Sequence, residues 1–223
     1  MNTDQKNAFL NYEADEWFFR NKKIIDNYDS SKDEVISLIS QYSIKADSIL
    51  ELGSSSGYRL QALKGIYPNS NVTGLEPSKR AIEFGLKNYP RVNFVHGTAD
   101  DLTCFRDNSF DFINIGFIFY VIDRNLLLKV ISEIDRVLKN GGEIILIDFF
   151  SEIPLKNIYQ HISEIQAFSY KQNYEEIFTA TKLYYLIDKS CYSHIERLKD
   201  SSSDYFNKYS ISLLKKDLEA SYK

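Results

Sequence analysis

The stretch Glu51-Leu52-Gly53-Ser54-Ser55-Ser56-Gly57 places a carboxylate two residues ahead of the first of two glycines, with a helix-forming segment directly behind. Glycines let a backbone turn tightly and approach a ligand with no Cβ in the way, and a helix start offers unpaired N–H groups to a negative group. A dinucleotide needs the closer spacing G-x-G-x-x-G, because its pyrophosphate nearly touches the second glycine. Here the spacing is G-x-x-x-G, and Glu51 repels a pyrophosphate while suiting a ligand that carries positive charge. A nicotinamide oxidoreductase is disfavoured on both counts. A second carboxylate, Glu76, closes the apolar run in Gly74-Leu75-Glu76-Pro77-Ser78. An acid at a strand end accepts hydrogen bonds from both hydroxyls of a ribose, although alone it also fits a helix-start acid favoured by the dipole.

Such a loop functions at the carboxyl end of a strand in an open parallel sheet. Buried strands are predicted at 48–52, 71–75, 92–95, 110–115 and 143–150. Helices are predicted at 57–66, from a Ser78 cap through Asn88, and at 126–138, the last stopped by Asn140-Gly141-Gly142. Strands alternating with helices indicate βαβ units. After residue 150 the rhythm breaks: 151–173 is polar and aromatic, 175–187 reads as helix, and 192–198 with 209–215 reads as an antiparallel hairpin. The expectation is a single α/β domain over 1–223, a doubly wound, mostly parallel seven-stranded sheet with a C-terminal antiparallel hairpin in three α/β/α layers. It divides into a helical leader at 1–46, a core at 47–150 and a closing segment at 151–223.

The segment Ile49-Leu50-Glu51-Leu52-Gly53-Ser54-Ser55-Ser56-Gly57 resembles motif I of the class I, Rossmann-like S-adenosylmethionine-dependent methyltransferases, E/D-x-G-x-G-x-G. Gly74 to Ser78 resembles the acidic loop after their second strand, and Gly97-Thr98-Ala99-Asp100-Asp101-Leu102 their adenine loop. Glu133-Ile134-Asp135-Arg136-Val137-Leu138-Lys139-Asn140-Gly141-Gly142 is similar to their E-x-x-R-V-L-K-P-G-G segment. Ser55 replaces the central glycine, Thr98 stands where many relatives carry Asp, and Asn140 replaces a proline. The resemblance implies S-adenosyl-L-methionine as cofactor, with a sulfonium and an ammonium to match Glu51. It implies that Glu51 orients the ammonium and that Gly53, Ser54, Ser55 and Gly57 wrap the methionine moiety. Glu76 and Pro77 would then serve the ribose, Ala99 and Asp100 the adenine, and Ile115 and Gly116 the floor beneath the sulfonium.

For the methyl acceptor the residues offer candidates only. His161, in Ile158-Tyr159-Gln160-His161, is a candidate base, with Asp148 to orient it; a surface or packed histidine is the competing reading. His96 reads as structural, and His194 has no visible partner. The leader Asp15-Glu16-Trp17-Phe18-Phe19-Arg20-Asn21 reads as a lid, with Arg20 meeting the methionine carboxylate, or as simple packing of Trp17 and Phe18. Tyr120, Tyr170, Lys171 and Tyr174 are candidates for an acceptor pocket. Lys156 and Lys171 favour an anionic acceptor such as a sugar nucleotide or surface-glycan precursor. A cofactor-binding protein without catalysis and a protein methyltransferase are the alternatives.

The composition narrows the partners. The 223-residue chain holds 27 basic and 31 acidic residues, a formal net charge of −4, with no basic run of the kind that neutralises a phosphate backbone. A small-molecule acceptor is expected, with no nucleic acid and no membrane, and a homodimer is left open. Cys104 and Cys191 cannot form a metal cluster by themselves, so no metal is expected. The polar start Met1-Asn2-Thr3-Asp4-Gln5-Lys6 does not read as a signal peptide, and a cytoplasmic location is the expectation.

Overall fold

Each strand predicted between residues 48 and 150 forms in the computed structural model, which describes residues 4–220. Met1, Asn2 and Thr3, part of the polar start, lie outside the described residues. The core strands are β1 (Ser48–Leu52), β2 (Asn71–Glu76), β3 (Asn93–His96), β4 (Phe110–Gly116) and β5 (Leu138–Phe149). Between them lie the helices α4 (Tyr58–Ile66), α5 (Lys79–Asn88) and α6 (Leu127–Val137). The leader supplies α1 (Asp4–Ala8), a π-helical turn at Phe9–Glu13, α2 (Ala14–Asp26) and α3 (Glu34–Tyr42). The closing part supplies β6 (Leu155–Ile158), β7 (Phe168–Lys171), α7 (Glu175–Thr179), β8 (Tyr184–Ser193) and β9 (Lys208–Lys216).

The seven-stranded sheet runs β3-β2-β1-β4-β5-β9-β8, while β6 and β7 form a separate two-stranded sheet. β1 to β5 pair in parallel, and β9 inserts antiparallel between β5 and β8. Side chains alternate between sheet faces, so two cores form. One joins Leu50, Leu52, Ile113 and Ile115 to Val130, Ile134 and Val137 of α6 and Phe178 of α7. The other joins Ile49, Val72 and Phe112 to Leu38 and Ile39 of α3 and Leu60 and Leu63 of α4. The strand order reverses between β1 and β4, which opens a crevice at their carboxyl ends.

Local details agree with the sequence where a side chain dictates them. Ser78 Oγ accepts from Ala81 N at 3.0 Å, the expected cap of α5. Elsewhere tertiary pairing prevails. The helix expected at 175–187 ends at Thr179, and Lys182 at φ 62 turns the chain into β8. The run Tyr184-Tyr185-Leu186-Ile187 pairs with the buried strand β9, which needs a partner on its outer edge; the hairpin's first arm is therefore 184–193, not 192–198. Gly141, at φ 81, does not cap α6: the helix ends at Val137, Leu138 is already extended, and the glycine turns the chain within β5 beside a register shift against β4. The polar and aromatic segment 151–173, for which no element is predicted, contains the β6–β7 hairpin.

The leader folds back over the carboxyl ends. Phe18 and Ile25 pack with Ala81, and Ala8 packs with Tyr159, Ile162 and Ala167. Gln5 Nε2 donates to the carbonyls of Val121 and Phe168, at 2.6 and 2.8 Å, and Gln5 Oε1 accepts from Phe168 N at 2.8 Å. No helix among the described residues is long and apolar enough to cross a membrane.

Candidate active site

The crevice and the leader together enclose a cavity of about 1100 Å³. The glycine loop forms one end. Gly53 and Gly57 take left-handed φ values of 74 and 78, and Ser55 takes 48. A Cβ on Gly53 would lie 2.4 Å from Ile118 Cγ2 and 3.3 Å from the Gly116 carbonyl, so glycine is required for the loop to lie against the end of β4. Gly57 serves packing instead: a Cβ there would meet the Phe94 ring at 2.5 Å.

Glu51 is buried behind this loop. Its Oε1 accepts from Arg59 Nη1 at 2.5 Å and from Asn114 Nδ2 at 2.7 Å. Arg59, at the start of α4, also donates through Nε to Asp33 Oδ2 at 2.8 Å. Burial drives the Glu51 carboxyl above its ordinary value, with the Arg59 guanidinium opposing the shift. Burial also works against the charge on Arg59, but Asp33 and Glu51 outweigh it and hold the guanidinium firmly protonated. Glu51 Oε2 and the hydroxyls of Ser54, Ser55 and Ser56 have no hydrogen-bond partner among the described residues, a cluster of buried polar groups suited to a polar ligand.

Glu76 spans two backbone donors, accepting from Ser55 N at 2.7 Å and Ser78 N at 2.8 Å. Burial pushes its carboxyl up to about 7 although both N–H groups favour the charged form. Asp100 accepts from Lys6 Nζ at 2.7 Å and Thr98 Oγ1 at 2.8 Å. Burial opposes its charge, yet Lys6 and Thr98 bring the carboxyl below its ordinary value.

The structure gathers Gly53, Ser55, Glu76, Pro77, Ala99, Asp100 and Gly116 on the cavity wall, while Glu51 lies buried behind it. Ser54 and Gly57 support the loop from behind, and Ile115 faces the hydrophobic core, leaving Gly116 alone of that pair at the cavity. Three expectations require correction. Arg20 lines the cavity, but its guanidinium is committed to Glu13 at 2.5 Å, and Glu13 also accepts from the Tyr159 hydroxyl at 2.7 Å. The cation beside the glycine loop is Arg59. Asp148 does not orient His161: its carboxylate accepts from Phe119 N at 2.8 Å and Phe149 N at 2.7 Å, buried beneath the chain that follows β4. Burial pushes Asp148 up to about 7. His161 stands exposed at the rim, edge-on to Tyr159 at 5.3 Å.

Sequence reasoning passed over Arg59, Asp33, Lys6, Glu13 and Tyr159. Only Arg59 carried a signal, as a cation in the first turn of the helix that follows the Glu51 loop. The others reach the cavity from segments whose place depends on tertiary packing. Aromatic side chains also line the cavity, among them Phe117, Tyr120, Phe149, Tyr159 and Phe206.

Residues 50–146 match the family described as Methyltransferase domain. The match runs from within β1 to within β5, less than half of the chain. A demethylmenaquinone methyltransferase of Staphylococcus aureus is 37% identical over 90 residues, 38% of this chain and 35% of the relative, so the match spans about a third of that protein's length. Two solved structures share the fold. A methyltransferase of Methanosarcina mazei described as SAM-dependent superposes with a TM-score of 0.62 at 18% identity, covering 82% of this chain and 98% of the other. The 1,6-didemethyltoxoflavin-N1-methyltransferase of Burkholderia thailandensis, with bound 1,6-didemethyltoxoflavin and S-adenosylhomocysteine, gives 0.66 at 12% identity, covering 97% and 92%.

Proposed function

We propose that the chain transfers a methyl group from S-adenosylmethionine to a small, planar acceptor. The observation that carries this reading is one cavity lined both by the charged groups at the glycine loop and by the aromatic side chains Phe117, Tyr120, Phe149 and Tyr159. The cofactor supplies an electrophilic methyl group on a sulfonium. At the glycine loop, Arg59 would hold the methionine carboxylate while Glu51, whose second oxygen is unpaired, would face the ammonium directly or through water. Glu76 would receive the ribose hydroxyls and Asp100 the adenine amine. The leader acts as a lid, fixed to the adenine loop through Lys6 and to the start of α5 through Asp15, which accepts from Ser78 Oγ at 2.6 Å.

Methyl transfer gains most from holding the acceptor atom in line with the breaking bond, and flat aromatic walls do this for a planar ring. A sugar nucleotide is the weaker fit. Lys156, one of the two cations expected to attract it, lies over the Phe168 ring at 3.6 Å and does not line the cavity. The acceptors named for two of the similar proteins, demethylmenaquinone and 1,6-didemethyltoxoflavin, also favour a ring compound.

Incubation with methyl-labelled S-adenosylmethionine and two panels, planar hydroxylated or aza-aromatic compounds and sugar nucleotides, tests the reading. Label is expected in the aromatic panel, with S-adenosylhomocysteine formed in step. Transfer to sugar nucleotides alone contradicts the acceptor class, and cofactor binding with no transfer to any compound favours a non-catalytic binder.

A further inference from the structure

The three histidines occupy different settings. His96 Nε2 lies 3.0 Å from the Pro77 carbonyl and is used in holding that loop. His161 is exposed at the rim. His194 follows β8 and lines the cavity, half-buried, its ring 5.0 Å from Phe149, 6.2 Å from Tyr209 and 6.4 Å from Phe117 between centroids. Its backbone N–H is anchored to the Asn207 carbonyl at 2.6 Å. Phe117 directly follows Gly116 at the end of β4 and takes φ 50, a left-handed value costly for a bulky residue. The strained turn therefore brings an aromatic face and, behind it, an imidazole toward the place where the floor of the cofactor site ends.

The charged groups around His194 are all cationic. Arg197, on the following turn, lies over the Tyr209 ring at 5.3 Å, and Lys171 of β7 lies 5.2 Å from the rings of both Phe149 and Phe206. Asp204 faces Lys171, and the Tyr209 hydroxyl is taken by Glu34 at 2.5 Å, so no carboxylate contacts the imidazole. Burial first, then Arg197 and Lys171, lower the pKa of His194 and keep it neutral near pH 7. A neutral imidazole flanked by two cations can accept a proton and has positive charge nearby to stabilise the anion that the proton leaves.

We propose that His194, rather than His161, is the base of the reaction, and that the acceptor presents a weakly acidic aromatic hydroxyl to it. This rests on the methyl-transfer reading above. As the acceptor oxygen forms its bond to the methyl carbon, the carbon–sulfur bond breaks with its electron pair left on sulfur. The hydroxyl proton passes to the His194 nitrogen and from there to solvent. The products are a methyl ether, a neutral thioether and one proton. Lys171 and Arg197 stabilise the phenolate as it forms.

The test uses 4-nitrophenol, whose phenolate absorbs visibly, with the full chain saturated with S-adenosylhomocysteine. The wild type is expected to bind the probe as phenolate at a pH where the free probe is partly protonated, and to raise the pKa of the His194 imidazole followed by NMR. His194→Asn and His194→Gln should each weaken phenolate binding at least tenfold while keeping S-adenosylhomocysteine affinity and melting temperature. His161→Asn should retain it. Equal loss in the His161 variant, no loss in the His194 variants, or no probe binding by a wild type that binds S-adenosylhomocysteine each overturns the proposal. Failure to bind S-adenosylhomocysteine instead overturns the methyl-transfer reading beneath it.

Discussion

Lys6 Nζ, on the first helix of the leader, lies 2.7 Å from Asp100 Oδ2 in the loop that follows β3, with the Asp100 carboxylate almost wholly buried. The contact joins two segments far apart in sequence across the mouth of the cavity. A pair so placed ties the leader to that loop, and a lid held this way slows release of a bound cofactor. Lys6→Met is expected to accelerate release of S-adenosylhomocysteine about fivefold, on the order of 1 kcal/mol for a partly buried pair. Stopped-flow displacement measures the rate; an unchanged rate contradicts the lid.

Glu76 gives the site a pH dependence. Its carboxyl, pushed up to about 7, binds a proton more readily in the folded chain than in the unfolded one. Stability from this group is therefore full below the ordinary carboxylate range and falls as pH rises toward 7, by up to about 1.4 kcal/mol per pH unit, and Asp148 adds a decline of the same sign. If ribose hydroxyls donate to the ionised form, cofactor binding expels the proton and affinity should rise with pH through 7. Calorimetry across pH 5.5–8.5 in buffers of different ionisation enthalpy should show proton release below pH 7, lost in Glu76→Gln.

The glycines give a paired prediction. Gly53→Ala places a Cβ 2.4 Å from Ile118 Cγ2 at a left-handed φ, whereas a Cβ on Gly65, inside α4, meets nothing within 4 Å. Gly53→Ala is expected to destabilise by about 2 kcal/mol or more and abolish cofactor binding. Gly65→Ala should stabilise by about 0.5–1 kcal/mol and leave binding unchanged. Denaturant unfolding with calorimetry checks both.

Arg59 answers two buried carboxylates, Glu51 and Asp33. Removing it leaves both uncompensated, so Arg59→Met should cost about 3–5 kcal/mol. If Arg59 also holds the methionine carboxylate, S-adenosylhomocysteine affinity should fall more than that for adenosine, which lacks that group. Equal losses for both contradict the assignment.

The cofactor half of the site was legible because its parts are local: a carboxylate, two glycines and a helix start lie in consecutive residues, and strand alternation places Glu76 at the next strand end. Gly53, Ser55, Glu76 and Asp100 accordingly reach the cavity as expected. The acceptor half was not legible. Its walls come from the leader, the β6–β7 hairpin and the turn after β8, which are placed by contacts such as Gln5 with Phe168 and Tyr159 with Glu13. His194 falls in the turn after β8 and not within a hairpin arm, because β8 begins at Tyr184, ahead of the arm that periodicity predicts, and ends at Ser193. Asp148 looked like a free carboxylate at a strand end, but the turn after β4 folds over it and two backbone N–H groups occupy it.

Calorimetric titration shows whether the cavity holds S-adenosylmethionine without any knowledge of the acceptor. Wild-type protein is expected to bind S-adenosylmethionine and S-adenosylhomocysteine and not NADH, with Glu76→Ala weakening both sulfur nucleosides at least tenfold, about 1.4 kcal/mol. Absence of binding to either, or a preference for NADH, would contradict the account.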